Sequence, residues 1–168
     1  VTENVTWKLD ANNQGAYMEF SNNGTLEITG SGNSYSADGD VEFRGTGTLL
    51  LNNGTGSPTG TGNMLVVTEN VTLGGSGSTE STVSLDGVIN PGNSVGELTV
   101  GAVTFNDGSE LIIDLDATGN DVLNVNGDLD LSSPNDTLTI TGSPTSSVFV
   151  FANYTGTLTG EFDIINLG

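Results

Sequence analysis

The chain has no cysteine and no histidine, and only two basic residues, Lys8 and Arg44, against 21 acidic ones in 168 residues. Each shortage excludes something. Without cysteine there are no disulfides, and without cysteine or histidine there is no zinc site of the usual kind. With no histidine and one lysine, the many serine and threonine hydroxyls lack a base that would turn one of them into a nucleophile. No glycine-rich loop with an adjacent lysine is present to cradle a phosphate. A formal net charge of −19 leaves no positive surface for nucleic acid and disfavours anionic membranes, so cations are the natural small partners. No apolar run approaches the ~20 residues that a membrane-spanning helix needs, and no membrane insertion is expected of this segment. The chain opens on Val1 with no signal peptide, so it is expected to be processed or cut from something longer.

What is present is a series of short runs that alternate apolar and polar residues. The stretch Leu85 to Leu131 shows them best: Glu97-Leu98-Thr99-Val100, Val103-Thr104-Phe105, Leu111-Ile112-Ile113-Asp114-Leu115, Leu123-Asn124-Val125 and Leu129-Asp130-Leu131. Period two is the strand period, and it sets Leu111, Ile113 and Leu115 on one face and Glu110, Asp114 and Asp116 on the other. Similar runs occur at Val1–Leu9, Ala16–Phe20, Thr25–Thr29, Val41–Phe43, Thr48–Leu51, Met64–Val67, Val71–Leu73, Thr137–Thr141, Thr157–Thr159 and Phe162–Leu167. Val148-Phe149-Val150-Phe151 is the most apolar run and is expected to be a strand buried on both sides. The 25 glycines are about twice the usual ~7% share, and they sit between the runs, as turn residues do. Asn22-Asn23-Gly24 and Asn90-Pro91-Gly92-Asn93 read as turns, and Asn52 to Gly62 as a long loop. Glycine and proline are too frequent for a helix of about 12 residues with an apolar stripe, so almost no helix is expected.

Many short, evenly spaced strands suit a sandwich, a barrel or a solenoid. The small aliphatic residues, the three-residue strands and the Asn-Gly, Asp-Gly and Gly-Asn corners favour the solenoid, in which each coil buries its apolar face only by stacking on a neighbour. The expectation is an all-β fold, a right-handed parallel β-helix over residues 41–168. Residues 1–40 are expected to supply N-terminal strands, as a cap or as an element that pairs between subunits. An antiparallel β-sandwich with strand exchange between copies is the alternative. Val1-Thr2-Glu3-Asn4-Val5-Thr6 recurs as Val67-Thr68-Glu69-Asn70-Val71-Thr72, an offset of 66 residues that suits three coils of roughly 22 each.

Several segments carry a resemblance. Gly47-Thr48-Leu49-Leu50-Leu51-Asn52-Asn53, Gly56-Ser57-Pro58-Thr59-Gly60-Thr61-Gly62 and Val71-Thr72-Leu73-Gly74-Gly75-Ser76-Gly77 follow one order. They are followed by Pro91-Gly92-Asn93-Ser94-Val95-Gly96-Glu97-Leu98-Thr99-Val100-Gly101 and Asp121-Val122-Leu123-Asn124-Val125-Asn126-Gly127. The series, over Val41 to Leu167, resembles the autotransporter-associated β-strand repeat of bacterial passenger proteins, with Pro91 to Gly101 its most specific part. The resemblance implies a right-handed parallel β-helix on secreted, surface-attached bacterial proteins.

Three sets of residues are candidates for function. The pairs Asp114/Asp116 and Asp128/Asp130 each share a strand face. Such a pair serves as a solvated exterior, as part of a Ca²⁺ site or, across a cleft, in glycoside hydrolysis. Gly119-Asn120-Asp121-Val122-Leu123 faintly echoes a calcium-binding β-roll repeat. The rows Thr137/Thr139/Thr141 and Thr157/Thr159 offer a hydroxyl array, suited to ice or polysaccharide, or are ordinary outward strand threonines. Asn-x-Thr sequons occur at Asn4, Asn23, Asn53, Asn70, Asn135 and Asn153. Assembly is the leading functional idea. Open solenoid ends expose unpaired strands, which here assigns Val1, Val5, Trp7 and Leu9 at one end and Ile164, Ile165 and Leu167 at the other. The function expected is a non-enzymatic extracellular structural protein of a bacterial surface fibre or matrix, with its own copies as partners, no cofactor, and Ca²⁺ as the one candidate ion. An adhesin that binds glycans is the alternative, and a polysaccharide-processing β-helix enzyme a third.

Overall fold

A computed structural model describes residues 5–9, 16–29, 40–52, 64–92, 94–143 and 148–168. Among them are sixteen strands and no helix. They are β1 (Val5–Leu9), β2 (Ala16–Thr29), β3 (Val41–Asn52), β4 (Met64–Val67), β5 (Val71–Gly75), β6 (Thr82–Leu85), β7 (Val88–Pro91) and β8 (Glu97–Val100). The series continues with β9 (Val103–Phe105), β10 (Glu110–Leu115), β11 (Val122–Val125), β12 (Leu129–Leu131), β13 (Thr137–Gly142), β14 (Ala152–Tyr154), β15 (Leu158–Gly160) and β16 (Ile164–Leu167). Apart from β1, neighbouring strands pair in parallel and stack as a β-solenoid of about 5 turns. The solenoid expected from the alternation is therefore the fold.

The strands stack on three faces. On the first, Val41 stacks on Leu65, then Val83, Val103, Leu129 and Leu158. On the second, Leu26 stacks on Leu49, Leu73, Ile89, Leu111, Leu138 and Ile165. On the third, β8, β11 and β14 align Leu98 with Leu123 and Ala152, and Val100 with Val125 and Tyr154. These inward columns are the core. From Phe43 to Val125 their aliphatic and aromatic side chains are almost wholly buried, and Leu111, Ile113 and Leu115 point inward as their alternation implies. From Leu49 onward the second-face column advances by 24, 16, 22, 27 and 27 residues per coil. Coil length is thus not constant, and the six-residue repeat does not mark three equal coils. Its second copy straddles the corner from β4 to β5, whereas Val5 and Thr6 of the first lie in antiparallel β1; Val1 to Asn4 are outside the described residues.

The corner between the first and second faces explains both a misreading and a motif. Asn22-Asn23-Gly24 makes no hairpin. β2 runs through it with a register shift and continues onto the next face, stacked on β3 along its length. Asn23, Asn70 and Asn135 all take positive φ, 58°, 63° and 62°, the left-handed conformation that asparagine tolerates better than other side chains with a Cβ. The next residue starts the inward column and the one after it is an outward threonine: Thr25, Thr72 or Thr137. Three of the six sequons are thus corner, inward and outward positions of the coil, generated by the fold itself. Asn4 and Asn53 lie outside the described residues.

Two other expectations change. Val88–Pro91 is a strand, and the turn begins only at Gly92, which has φ +84°. Proline fits there because it ends the strand and needs to donate no ladder hydrogen bond beyond it. Val148–Phe151 is not a strand and is not buried on both sides. Phe149 and Phe151 pack on the core, while Val148 and Val150 are 79% and 57% exposed. An alternating inside–outside segment of four apolar residues looks, in sequence, like a doubly buried one.

The columns set the energetics. Leu73 is fully buried between Leu49 and Ile89, so Leu73→Ala is expected to cost about 2–5 kcal/mol. Leu167 is 77% exposed, so Leu167→Ala should stay within about 0.5 kcal/mol. Urea denaturation followed by circular dichroism measures both.

Candidate functional site

Several aspartates and an asparagine hold one coil to the next. Asp40 Oδ1 accepts the N–H of Met64 at 3.1 Å, and Asn52 Oδ1 accepts that of Ser76 at 3.0 Å. Asp128 Oδ1 accepts the Thr157 N–H at 2.7 Å, and Asp136 Oδ1 the Asp163 N–H at 3.0 Å. In each case a side-chain oxygen takes a backbone donor 24 to 29 residues further on. Ladder hydrogen bonds fail where the chain turns a corner, and buried N–H groups there need another acceptor. Aspartate and asparagine are short enough to supply one.

Asp121 is the most constrained of these residues. It has no exposed surface. Its Oδ1 accepts the Gly96 N–H at 2.8 Å and its Oδ2 the Asp114 N–H at 2.9 Å, which ties the start of β8 to the end of β10. Its own N–H donates to the Asp114 carbonyl at 2.9 Å. Gly92 lies against the carboxylate so closely that a Cβ there would stand 2.8 Å from Oδ1. Gly92 and Gly96, at the corner between β7 and β8, therefore lie against an aspartate of the following coil. Burial pushes the Asp121 pKa up to about 6; the two N–H bonds oppose that rise, and the carboxylates of Asp114 and Asp116 add to it. Asp136 is also buried, and loss of hydration raises its pKa. Its Oδ2 and the hydroxyl of Ser109, one coil earlier in the same column, have no hydrogen-bond partner.

The four aspartates proposed for Ca²⁺ have these surroundings. Half-buried Asp114 accepts the Thr141 hydroxyl from the next coil. Asp116 accepts the Thr118 hydroxyl and N–H, both at 2.6 Å, and the Gly119 N–H at 3.1 Å, so it closes its own turn. The Thr118 bonds, the hydroxyl first, hold its carboxyl below the usual range. Asp128 caps Thr157, and Asp130 accepts the Ser132 N–H at 3.0 Å. Among the described residues no three acidic side chains converge in a way that could hold a metal ion. Asp121 is a staple between coils, whatever its likeness to a calcium repeat. The threonine row is likewise tied to acids: Thr139 donates to Glu110 and Thr141 to Asp114.

The assembly residues lie at the two ends of the stack. Val5, Trp7 and Leu9 are in β1, which pairs antiparallel with Phe20, Met18 and Ala16 of β2 in the same chain; Val1 is outside the described residues. Ile164, Ile165 and Leu167 are in β16, in the last coil. Among the described residues nothing stacks on that coil. β14, β15 and β16 are each paired on one side only among the described residues. Leu158, Ile165 and Leu167 are 43%, 61% and 77% exposed. The columns end in an apolar cavity of about 470 Å³ lined by Phe105, Leu131, Leu138, Ile140, Phe162 and Ile165, among others. Phe162 partly closes it, edge-on to Phe105 at 5.5 Å. On the outer second face, Gly74 leaves a groove of about 430 Å³ among Thr48, Leu50, Thr72, Asn90 and Asp114.

The class is thus a parallel β-solenoid with acid-stapled corners. Comparison with protein-family models, curated proteins and solved structures finds no match. No helix among the described residues is long and apolar enough to cross a membrane.

Asp121 makes stability depend on pH. Its native pKa of about 6 lies above the ordinary 3.8, so the folded chain takes up this proton before the unfolded one does. Stability is therefore expected to rise as pH falls from about 6 toward 3.8 and to be lost as pH rises through that window. Urea midpoints measured across the window should show this slope, and Asp121→Asn should flatten it.

Proposed function

We propose that this chain is a non-enzymatic extracellular structural protein, a segment or subunit of a bacterial surface fibre or matrix whose units join coil on coil. One observation carries the reading. Each coil is completed only by the coil stacked on it: the parallel ladder and its apolar column continue from β3 through β5, β7, β10 and β13 to β16, an arrangement that extends by adding coils. The rest of the molecule supports it. Among the described residues the acids that the sequence offers for chemistry are engaged in turns and between coils, which is the work of a rod. The resemblance to passenger-type repeats, the absence of cysteine and the high acidity fit life outside a cell. Charge of one sign keeps free copies apart until counterions screen it, over about 8 Å at physiological salt.

The Gly74 groove favours a second reading, an adhesin for glycans, because hydroxyl, amide and carboxylate groups flank the apolar Leu50 there. Glycan-array binding that Asn90→Ala abolishes would support that alternative.

The structural reading is tested by sedimentation at rising protein concentration in low and molar salt. Association that strengthens with salt and is lost in the Ile165→Asp/Leu167→Asp variant is expected. A chain that remains monomeric throughout would overturn it.

A further inference from the structure

We propose that the groove beside Gly74 binds an oligosaccharide that carries free amino groups, laid along the stacking axis with an ammonium on Asp114. This rests on the glycan reading of the groove given above and names the class of glycan. The groove crosses four successive strands of the second face: Thr48 and Leu50 on β3, Thr72 and Gly74 on β5, Asn90 on β7 and Asp114 on β10. At the parallel-strand spacing of ~4.8 Å the first and last of these strands lie roughly 14 Å apart, which is the reach of an oligomer rather than of one sugar ring.

The polar groups along the groove are free. Elsewhere on the outer surface such side chains bond to one another along a column: Asn52 donates to Glu27 at 2.6 Å, Asn124 to Glu97 at 3.2 Å and Asn153 to Asn124 at 2.9 Å. In the groove the hydroxyls of Thr48, Thr72 and Ser94 and the amide of Asn90 have no hydrogen-bond partner among the described residues. Asp114 gives one oxygen to the Thr141 hydroxyl and leaves the other without a partner. Groups that both donate and accept, beside the apolar Leu50, suit the hydroxyls and the C–H face of a sugar. Among the described residues no aromatic ring lines the groove, so stacking does not supply the affinity and charge has to. That charge sits at the Asp114 end, where Asp114 and Asp116 both act electrostatically on Asp121. An ammonium placed there makes a charge-assisted hydrogen bond with the free oxygen, and the net charge of −19 draws a cationic oligomer to the surface. A neutral or anionic glycan gains neither.

Calorimetric titration tests this with three probes: a hexamer of β-1,4-linked glucosamine, its fully N-acetylated counterpart and tetralysine, in low salt at a mildly acidic pH that charges the amines. The glucosamine hexamer is expected to bind about fivefold tighter than the N-acetylated one, the size of one half-exposed ion pair, and to weaken as salt rises. Asp114→Asn keeps an acceptor for the Thr141 hydroxyl and removes the charge, so it should abolish the preference and leave binding of the N-acetylated hexamer unchanged. Asn90→Ala should weaken both sugars. Equal binding of the two hexamers, or a preference that survives Asp114→Asn, would overturn the assignment of an amino sugar while the glycan reading stood. Tetralysine binding as tightly as the glucosamine hexamer would show that charge alone is read and would overturn the saccharide. Binding of neither hexamer would remove the glycan reading and this inference together. Circular dichroism that matches the parent chain confirms that each variant is folded.

Discussion

A single coil of this chain has nothing to pack against. Its inward face is a few aliphatic side chains, and its strands are three to six residues long where they are not fused across a corner. Only the coil above and the coil below complete its hydrogen bonds and cover its apolar atoms. The constraint that governs the molecule is therefore register. Leu49 must meet Leu73, and Leu73 must meet Ile89, because a slip by one residue would turn every inward side chain outward. The corners hold that register, since the ladder is interrupted there and side chains must take over.

The high acidity gains a structural meaning from this constraint. Asp40, Asp121, Asp128 and Asp136 each receive a backbone N–H from another part of the stack. A carboxylate is a strong acceptor for such a donor, and on an exposed corner it keeps its hydration. Asp121 and Asp136 differ in being buried, and Asp121 binds two donors in place of water. Repulsion among so many acids acts mainly at the surface, where salt screens it, whereas the staples act at contact. An acid-rich exterior and a tightly registered stack are thus compatible.

The edges of the stack follow from the same rule. A coil is finished only when another lies on it. In the last described coil Leu158, Ile165 and Leu167 stay exposed, and at the first, β1 lies antiparallel on residues 16–20 of β2 and leaves the second half of that strand paired on one side among the described residues.

The alternation Leu111, Ile113 and Leu115 against Glu110, Asp114 and Asp116 determined which atoms face inward, and the frequency of Gly, Asn and Asp determined that the strands are short and the corners sharp. Those are local properties, set by the two-residue strand period and by which residues tolerate positive φ. Proline misled at Val88–Pro91, and an unbroken apolar run misled at Val148–Phe151, because neither shows where a strand ends or how many of its sides are covered. Asp121 carried only the weak signal of a calcium-like fragment. Its role depends on Gly96, 25 residues earlier, and no spacing rule links the two when coil length varies. Which residues share a column and which acids become staples were decided only by the tertiary stack, because each is a relation between coils rather than a property of any one of them.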